Sequence, residues 1–362
     1  MILIYVDSDP IEREWLPNLA LTEVEITHSL DQYIASQAQH KLAFTAHRMH
    51  LSHDPLPKLY HSFEHKVQLL SEHSDLVFCI ESELHNYHWQ MYAACHAENV
   101  YWCQPGRVND RPDMQEHMIF WGDFFKLPAL LYKKLPDKLN LLTPYDSKPK
   151  YFDALLGSPK PHRDFICAAV QQHELQEKIT MTYGGTWNNN AFYAKDYFLW
   201  EPDCVPEQAI IGTADSVNYL GHSTPLSHVM PIDVFNNTAY SIVAETDHDN
   251  TLSFFSEKTA KVLIARRLFV AFSGYQFLHN LRAVGFRTFD GIIDESYDLI
   301  EDDTQRYAAA FDQVLYLCGA PQSEILDQIR DIVDHNHQVI MTTDWTKFAT
   351  DQVRIRIHSL LG

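Results

Sequence analysis

The chain has 362 residues, a formal net charge of −20 at neutral pH and 46% hydrophobic residues. This length and apolar content suffice for two ordinary hydrophobic cores, so we expect two domains. An acidic chain repels polyanions at long range, which disfavours broad binding to nucleic acids. The sequence contains no run of 18 apolar residues, and we therefore expect no transmembrane segment.

The cysteines and histidines follow no metal-binding pattern. Six cysteines occur without a C-x-x-C pair, and none of the 21 histidines belongs to an H-E-x-x-H motif. Such cysteines are typical of buried thiols in a reducing compartment, so we expect a cytoplasmic protein. The histidines are most simply scattered surface and core residues, and the basic run Arg266-Arg267 is most simply solvated surface.

The first 147 residues alternate apolar runs with amphipathic stretches. Short apolar or alternating runs predict strands at residues 2–7, 24–30, 41–49, 75–83, 100–106 and 118–125. Residues 59–70 carry apolar side chains at helical spacing, and residues 85–97 also read as a helix. Strands that alternate with helices indicate a mostly parallel sheet covered on both faces. We therefore predict an α/β chain with a Rossmann-like domain at residues 1–147.

A second Rossmann-like domain is predicted for residues 148–343. The polar, proline-containing run at residues 137–150 is typical of a linker between domains. Strands are predicted at residues 151–158, 179–185, 240–245 and 268–272. The long aromatic stretch at residues 186–207 has no period, which favours a functional loop. The amphipathic residues 344–362 predict a C-terminal helix.

Residues 240–274 predict one βαβ unit, in which a helix begins at Ser256-Glu257-Lys258. Ser256 is a good N-cap, and Glu257 lies in the first turn, where the helix dipole favours a carboxylate. Lys258 is a cation at the positive end of a helix, which costs a few tenths of a kcal/mol unless an anion is bound there. The residues alone leave two interpretations open, a capped surface helix with an exposed lysine or an anion site.

Two motifs resemble those of a known family. Glu245 at a strand end, Phe254, and Ser256-Glu257-Lys258 at a helix start resemble the donor-binding signature of the fucosyltransferases, which are inverting glycosyltransferases of the GT-B fold. Residues 153–165, where a proline-containing turn leads to Arg163 at a helix start, are similar to the family's Pro-x-Arg-Asn turn. The resemblance covers about residues 150–290. It departs from the family at Thr246-Asp247, where the family has Asn-Ser, and at Phe254, where it has Tyr.

The resemblance implies a GT-B architecture, in which two Rossmann-like domains face each other across a cleft and the last helix returns to the first domain. It implies a nucleotide-diphospho-sugar as co-substrate, with no metal and no other cofactor. Arg163 and Lys258 would hold the phosphates, Glu257 would accept from the ribose hydroxyls and Phe254 would pack near the base. Glu245 would help to orient the donor sugar.

An inverting transfer also needs a general base for the acceptor hydroxyl, and this base should come from the first domain. The candidates are carboxylates at strand ends, Glu81, Glu83 and Asp123, each of which is alone more often a solvated loop residue. The acceptor would be a glycan, a lipid-linked sugar or, in a viral enzyme, hydroxymethylated DNA. Two other readings stay open: a nucleotide-sugar-binding module without transferase activity, and a scaffold protein.

Overall fold

The structure is a computed structural model, and it describes residues 1–7, 11–47, 56–81, 98–109, 116–157, 159–183, 191–193, 210–212, 216–248, 250 and 252–361. Over these ranges the chain is an α/β protein with two parallel sheets, which confirms the predicted α/β class with mostly parallel sheets. It divides into two compact units. Unit 1 comprises Met1–Asp123 and Asp344–Gly362, and unit 2 comprises Phe124–Thr343. Among the described helices, none is long and apolar enough to cross a membrane.

Unit 1 is built on a parallel sheet. Its strands are β1 (Ile2–Val6), β2 (Val24–Thr27), β3 (His40–His47), β4 (Leu76–Glu81), β5 (Val100–Gln104), the short β6 (Gly106–Val108) outside this sheet, and β7 (Met118–Phe120). Its helices are α1 (Leu16–Leu19), which follows a π-helical turn at Ile11–Trp15, α2 (Leu30–Ala35) and α3 (Leu56–His73). The six sheet strands are parallel in the order β2-β1-β3-β4-β5-β7. This is a doubly wound order, in which the direction of strand addition reverses between β1 and β3.

The run predicted as one strand at residues 118–125 is divided in the structure. β7 ends at Phe120, and Asp123 begins helix α4 (Asp123–Lys134). The carboxylate of Asp123 lies in the first turn, where the helix dipole favours it. Phe125, Ala129 and Tyr132 follow at helical spacing and are buried. The aromatic residues after position 122 therefore belong to a helix face rather than to a strand.

The C-terminal helix α12 (Trp345–Leu361) completes the core of unit 1. Ala349, Val353 and Ile357 recur every four residues, and each is fully buried in the same apolar cluster as the strands of the sheet. At its start, the ring of Trp345 packs edge-on against Phe120 with 6.3 Å between ring centroids. The last helix therefore contributes to the hydrophobic core of unit 1.

We expect Gly122→Ala to destabilise unit 1 by about 1–3 kcal/mol, because it overpacks the start of α12. A Cβ atom at position 122 would stand 2.7 Å from Cε3 of Trp345, closer than any relaxed carbon contact. The measurement is the urea midpoint of the full chain. Gly319→Ala is the matched control, since a Cβ atom at position 319 meets no atom within 4 Å. Equal midpoints for the two variants would contradict this account of Gly122.

Unit 2 is built on a second parallel sheet. Its strands are β8 (Lys150–Leu155), β9 (Ile179–Thr182), β10 (Ala191–Tyr193), β11 (Ile210–Gly212), β12 (Ser216–Tyr219), β13 (His222–Pro225), β14 (Thr238–Ala244), β15 (Leu252–Phe254) and β16 (Phe269–Phe272). Four of them form the sheet β16-β14-β8-β9, in which all neighbours are parallel. The pairs β10-β11 and β12-β13 are antiparallel and lie between β9 and β14 in the chain. Strand addition reverses between β8 and β14.

Along the chain, the helices of unit 2 lie before, between and after the strands of its sheet. After α4 they are α5 (Pro136–Leu139), α6 (Pro161–Gln172), α7 (Ile232–Asn237), α8 (Glu257–Ile264), α9 (Phe277–Ala283), α10 (Asp303–Gly319) and α11 (Gln322–Thr342), with 3-10 turns at Leu226–His228 and Glu295–Leu299.

The sequence predicted a domain boundary between residues 147 and 148, whereas the chain passes from unit 1 to unit 2 between residues 123 and 124. Residues of the predicted linker bond into unit 2, since Thr143 N donates to Asn236 Oδ1 at 3.0 Å and Lys148 N donates to Gln322 Oε1 at 2.7 Å.

Arg267 is buried inside unit 2, although the sequence predicted solvated surface for it. Its guanidinium donates to Asp153 Oδ1 at 2.8 Å and to Ser241 Oγ at 2.8 Å. It also donates to the backbone oxygens of Phe235, Thr238 and Tyr240. The side chains of Arg267 and Asp153 are 3% and 4% exposed. One guanidinium therefore ties β8 and β14 to the end of α7.

Candidate functional site

The candidate site lies where strand addition reverses in the sheet of unit 2. Parallel α/β sheets bind ligands beyond the carboxyl ends of the two strands that flank such a reversal. In unit 2 these strands are β8 and β14. The chain leaves β8 at Leu156-Gly157 and enters α6, and it leaves β14 at Glu245-Thr246 and continues towards α8. The amino ends of α6 and α8 each present the positive end of a helix dipole.

Glu245 is fully buried at the end of β14, and its carboxylate is held by three donors. Oε2 accepts from the backbone N–H of Thr246 at 3.0 Å. Oε1 accepts from the backbone N–H of Ser256 at 3.2 Å and from the hydroxyl of Thr259. A buried carboxylate without partners would be strongly unfavourable, so these bonds explain its presence. Glu245 therefore fixes the turn after β14 to the start of α8.

Lys258 lies over that turn and is 24% exposed in its side chain. Its ammonium donates to Thr246 Oγ1 at 2.9 Å and to Glu257 Oε1 at 2.9 Å. Ser256 caps the helix as predicted, because its hydroxyl accepts from Lys258 N at 3.2 Å. From the start of α6, Lys160 donates its ammonium to the backbone oxygen of Thr246. Two lysines from different helix starts thus meet at Thr246.

Arg163 and His162 approach the same turn from the first turn of α6. Arg163 Nη2 donates to the backbone oxygen of Glu245 at 3.3 Å, and His162 Nε2 lies 2.9 Å from that oxygen. Arg163 Nη1 is 3.4 Å from the place where a Cβ atom at Gly157 would stand, so the guanidinium lies against the loop after β8. Both side chains are buried. Lys160, Arg163 and Lys258 form what we call the cationic cluster.

Glu257 is buried between cations on the first turns of α8. Burial acts to raise the pKa of this carboxyl, but the ammonium groups of Lys258 and Lys261 outweigh it and bring the pKa down to about 2. Burial, partly opposed by Glu257, lowers the pKa of Lys261 to about 8. Burial also lowers the pKa of the neighbouring His228 to about 4, although Glu257 acts to raise it. Glu257 is therefore an ionised acceptor over the whole neutral range.

The structure brings together four of the five predicted donor-site residues, namely Arg163, Glu245, Glu257 and Lys258. The fifth, Phe254, is fully buried and packs edge-on against Phe124, with ring centroids 5.4 Å apart. A role for Phe254 beside a nucleotide base stays a prediction, since its ring already lies in the core of unit 2.

The predicted general bases belong to the other unit or lie outside the described residues. Glu81 ends β4, but its side chain is not among those described, and Glu83 falls outside the described ranges altogether. Asp123 begins α4, where its backbone N–H donates to the backbone oxygen of Trp121 at 2.9 Å. The predicted loop at residues 186–207 is described only at β10, and the predicted helix at 85–97 also lies outside the described ranges.

Lys160, His162 and Lys261 were not singled out from the sequence. Lys160 and His162 are next to Arg163 in the stretch Lys160-Pro161-His162-Arg163. A proline is favoured at the first position of a helix, so Pro161 marks a helix start in the sequence. That start was the available signal for Lys160 and His162. Lys261 lies one turn after Glu257, at the spacing of an i,i+4 pair.

No model of a protein family matches the chain. No curated protein matches it either. Within the described ranges, no three His, Cys, Asp or Glu side chains are grouped in a way that would hold a metal ion.

Proposed function

We propose that the chain is an inverting glycosyltransferase that transfers a sugar from a nucleotide-diphospho-sugar to a hydroxyl group without a metal ion. The observation that carries the proposal is the cationic cluster. Its three side chains come from two helix starts, and Lys160, Arg163 and Lys258 all donate to the turn Glu245-Thr246. This turn lies at a strand-order reversal, where α/β sheets bind ligands. The two sequence motifs that resemble those of the fucosyltransferases contain Arg163 and Lys258, and both of these side chains contact this turn.

The chemistry of such a transfer fits these groups. When a sugar leaves, negative charge grows on the oxygen of the nucleoside diphosphate, and fixed cations lower the barrier by stabilising it. The guanidinium of Arg163 offers two parallel donors to a phosphate, and Lys258 offers a point charge. The positive dipole ends of α6 and α8 add to the attraction for an anion. Glu257, ionised at neutral pH, is suited to accept from ribose hydroxyls.

The finer architecture is part of the same proposal: a GT-B fold, with unit 2 as the donor domain and unit 1 as the acceptor domain. The general base would be Glu81, Glu83 or Asp123 of unit 1. The acceptor would be a glycan, a lipid-linked sugar or a hydroxymethylated base in DNA. The DNA acceptor requires a local basic surface on an acidic chain, and it predicts binding that weakens steeply with salt.

A second candidate is a nucleotide-sugar-binding module that has no transferase activity. It is favoured by the segment Gln104-Pro105-Gly106-Arg107, where the fucosyltransferases carry their catalytic Glu after a Gly and this chain has none. The two candidates differ in one result. Both bind the sugar nucleotide, but only the transferase releases nucleoside diphosphate when an acceptor is added.

The test is thermal stabilisation of the full chain by a panel of sugar nucleotides and nucleoside diphosphates, without metal. We expect one nucleotide class to raise the unfolding midpoint, because a ligand that binds only the folded state stabilises it. Arg163→Ala and Lys258→Ala, each compared with its own ligand-free midpoint, should bind that nucleotide at least about tenfold more weakly.

Arg330→Ala is the control for that panel, because Arg330 is an exposed arginine of α11 in a 3.5 Å ion pair with Asp327. We expect it to keep the full stabilisation. If no member of the panel shifts the midpoint of the wild-type chain, with or without divalent metal, the proposed function is wrong.

A further inference from the structure

The imidazole of His162 has an acceptor nitrogen for which the described residues provide no donor. The side chain is fully buried, and Nε2 lies 2.9 Å from the backbone oxygen of Glu245. A carbonyl oxygen only accepts, so Nε2 carries the hydrogen and the lone pair of the neutral ring is on Nδ1. Nδ1 is buried, and it has no hydrogen-bond partner among the described residues. A buried polar atom in this state is unusual and calls for a cause.

The groups around His162 come from three elements. From its own helix start come Lys160 and Arg163, from the turn after β14 comes His248, and from α10 comes Tyr307, which itself feels the charge of Asp247. The ring of His248 stacks on that of His162 with centroids 4.9 Å apart and planes 26° apart. The ring of Tyr307 lies 6.1 Å away, and burial raises the pKa of its hydroxyl to about 12, so it stays neutral. The two cations nearest to His162 therefore belong to the cationic cluster.

Burial and, to a smaller degree, these cations hold the imidazole in its neutral form. Burial lowers the pKa of His162 well below the usual value, and the positive charges of Arg163 and Lys160 and the proximity of His248 lower it further. An anion bound to the cluster neutralises the charges of Arg163 and Lys160. It thereby removes two of the reasons for which His162 rejects a proton. Anion binding and protonation then favour each other, because linkage between two ligands is reciprocal.

We propose that an anion bound at Lys160, Arg163 and Lys258 is held together with a proton on Nδ1 of His162, so that the site binds anions more tightly as the pH falls. One proton is taken from solvent for each anion bound, and no other bond changes. The new N–H is a donor in a place where only a lone pair stood. This inference rests on the proposed function, because it assigns a regulation by pH to the same donor site.

The sign of the effect follows from the two pKa values. The pKa of His162 is low in the free protein and higher in the complex, so the complex holds more protons than the free protein in the interval between them. Affinity therefore rises as the pH falls through that interval and levels off below the lower pKa. Within the interval it changes by up to about tenfold for each pH unit.

The probe is sulfate, which remains a dianion throughout the neutral and mildly acidic range and does not depend on the identity of a sugar or base. Binding to the full chain is measured as a function of pH at constant ionic strength, and histidine signals are followed by nuclear magnetic resonance in the same samples. In the wild-type chain we expect one histidine to become protonated on addition of sulfate at an acidic pH, below neutrality, because burial still opposes the proton in the complex. His162→Gln, whose amide N–H is able to donate to the oxygen of Glu245, should lose that signal and bind sulfate with a flat pH profile.

His337→Gln is the matched control. The imidazole of His337 also lies within hydrogen-bond distance of a backbone oxygen, 2.6 Å from that of Ile264, and burial lowers its pKa as well. His337 belongs to α11, which contributes no residue to the cationic cluster. We expect it to keep the wild-type pH profile. A flat sulfate profile in the wild-type chain overturns the inference, and so does a protonated histidine that persists in His162→Gln. If the chain binds sulfate with proton uptake but binds no sugar nucleotide, the inference is supported and the proposed function is wrong. Failure of the inference and failure of the proposed function are therefore distinguishable.

Discussion

Replacing Arg267 with methionine is expected to destabilise the protein by about 3–5 kcal/mol, because it leaves the buried carboxylate of Asp153 without its cation. All three nitrogens of the guanidinium are engaged, two of them with backbone oxygens, which lose these donors in the variant. The measurement is urea unfolding of the full chain, with hydrogen exchange to locate the change. Loss of protection should be concentrated in β8 and β14.

Arg266→Met is the control, since the two arginines are adjacent and differ in burial. Arg266 pairs with Asp334 at 2.8 Å, with side chains 29% and 49% exposed. Exposed pairs contribute at most about 1 kcal/mol, so we expect a small change. In the double variant Asp153→Leu, Arg267→Met, both charges are gone, and part of the lost stability should return. A loss below about 1 kcal/mol in Arg267→Met would contradict the assigned role.

Glu245→Gln is expected to lower stability by about 2–4 kcal/mol and to abolish sugar-nucleotide binding. A glutamine side chain has one acceptor oxygen and an NH₂ group, so it is unable to accept from Thr246 N, Ser256 N and the hydroxyl of Thr259 together. The turn after β14 then separates from the start of α8, and the ammonium of Lys258 no longer reaches Thr246. Stability is measured by urea unfolding, and binding by the thermal shift described above.

The control for Glu245→Gln is Asp298→Asn. Asp298 is likewise a buried carboxylate, which accepts from the backbone N–H groups of Leu278 and His279 at 2.8 Å each, at the start of α9. Its replacement should destabilise the chain by a similar amount and leave sugar-nucleotide binding intact. If Glu245→Gln retains binding, Glu245 does not organise the site, and its role in the proposal is wrong.

Much of the fold is readable from the sequence because buried parallel strands are short apolar runs with clear ends. The predicted strand at residues 240–245 corresponds to β14, and the predicted strand at 268–272 corresponds to β16. The helix between them begins after Ser256, as its capping residue indicates. The failure at residues 118–125 has a local cause. An aromatic run fits a strand and a buried helix face equally well, and only Gly122 and Asp123 mark the change.

What the sequence does not give are contacts between residues far apart in the chain. Arg267 stands next to Arg266 and looks like surface, but its partner Asp153 is 114 positions away. His162 on α6 likewise bonds through Nε2 to the backbone oxygen of Glu245, 83 positions away at the end of β14, and this bond leaves Nδ1 with the lone pair. Such polar pairs follow from the order of the strands in the sheet, and that order is fixed by the whole fold rather than by any local pattern.

The chain leaves unit 1 at residue 123 and returns to it at residue 344. During synthesis, unit 2 is therefore complete in sequence before unit 1 is. Until the ribosome has added Ala349, Val353 and Ile357, α12 does not cover the apolar face of the sheet of unit 1. Domains that are continuous in sequence fold as they emerge, so the order of emergence makes unit 2 the first to finish. Unit 1 is thus the part of the nascent chain that depends longest on protection from aggregation.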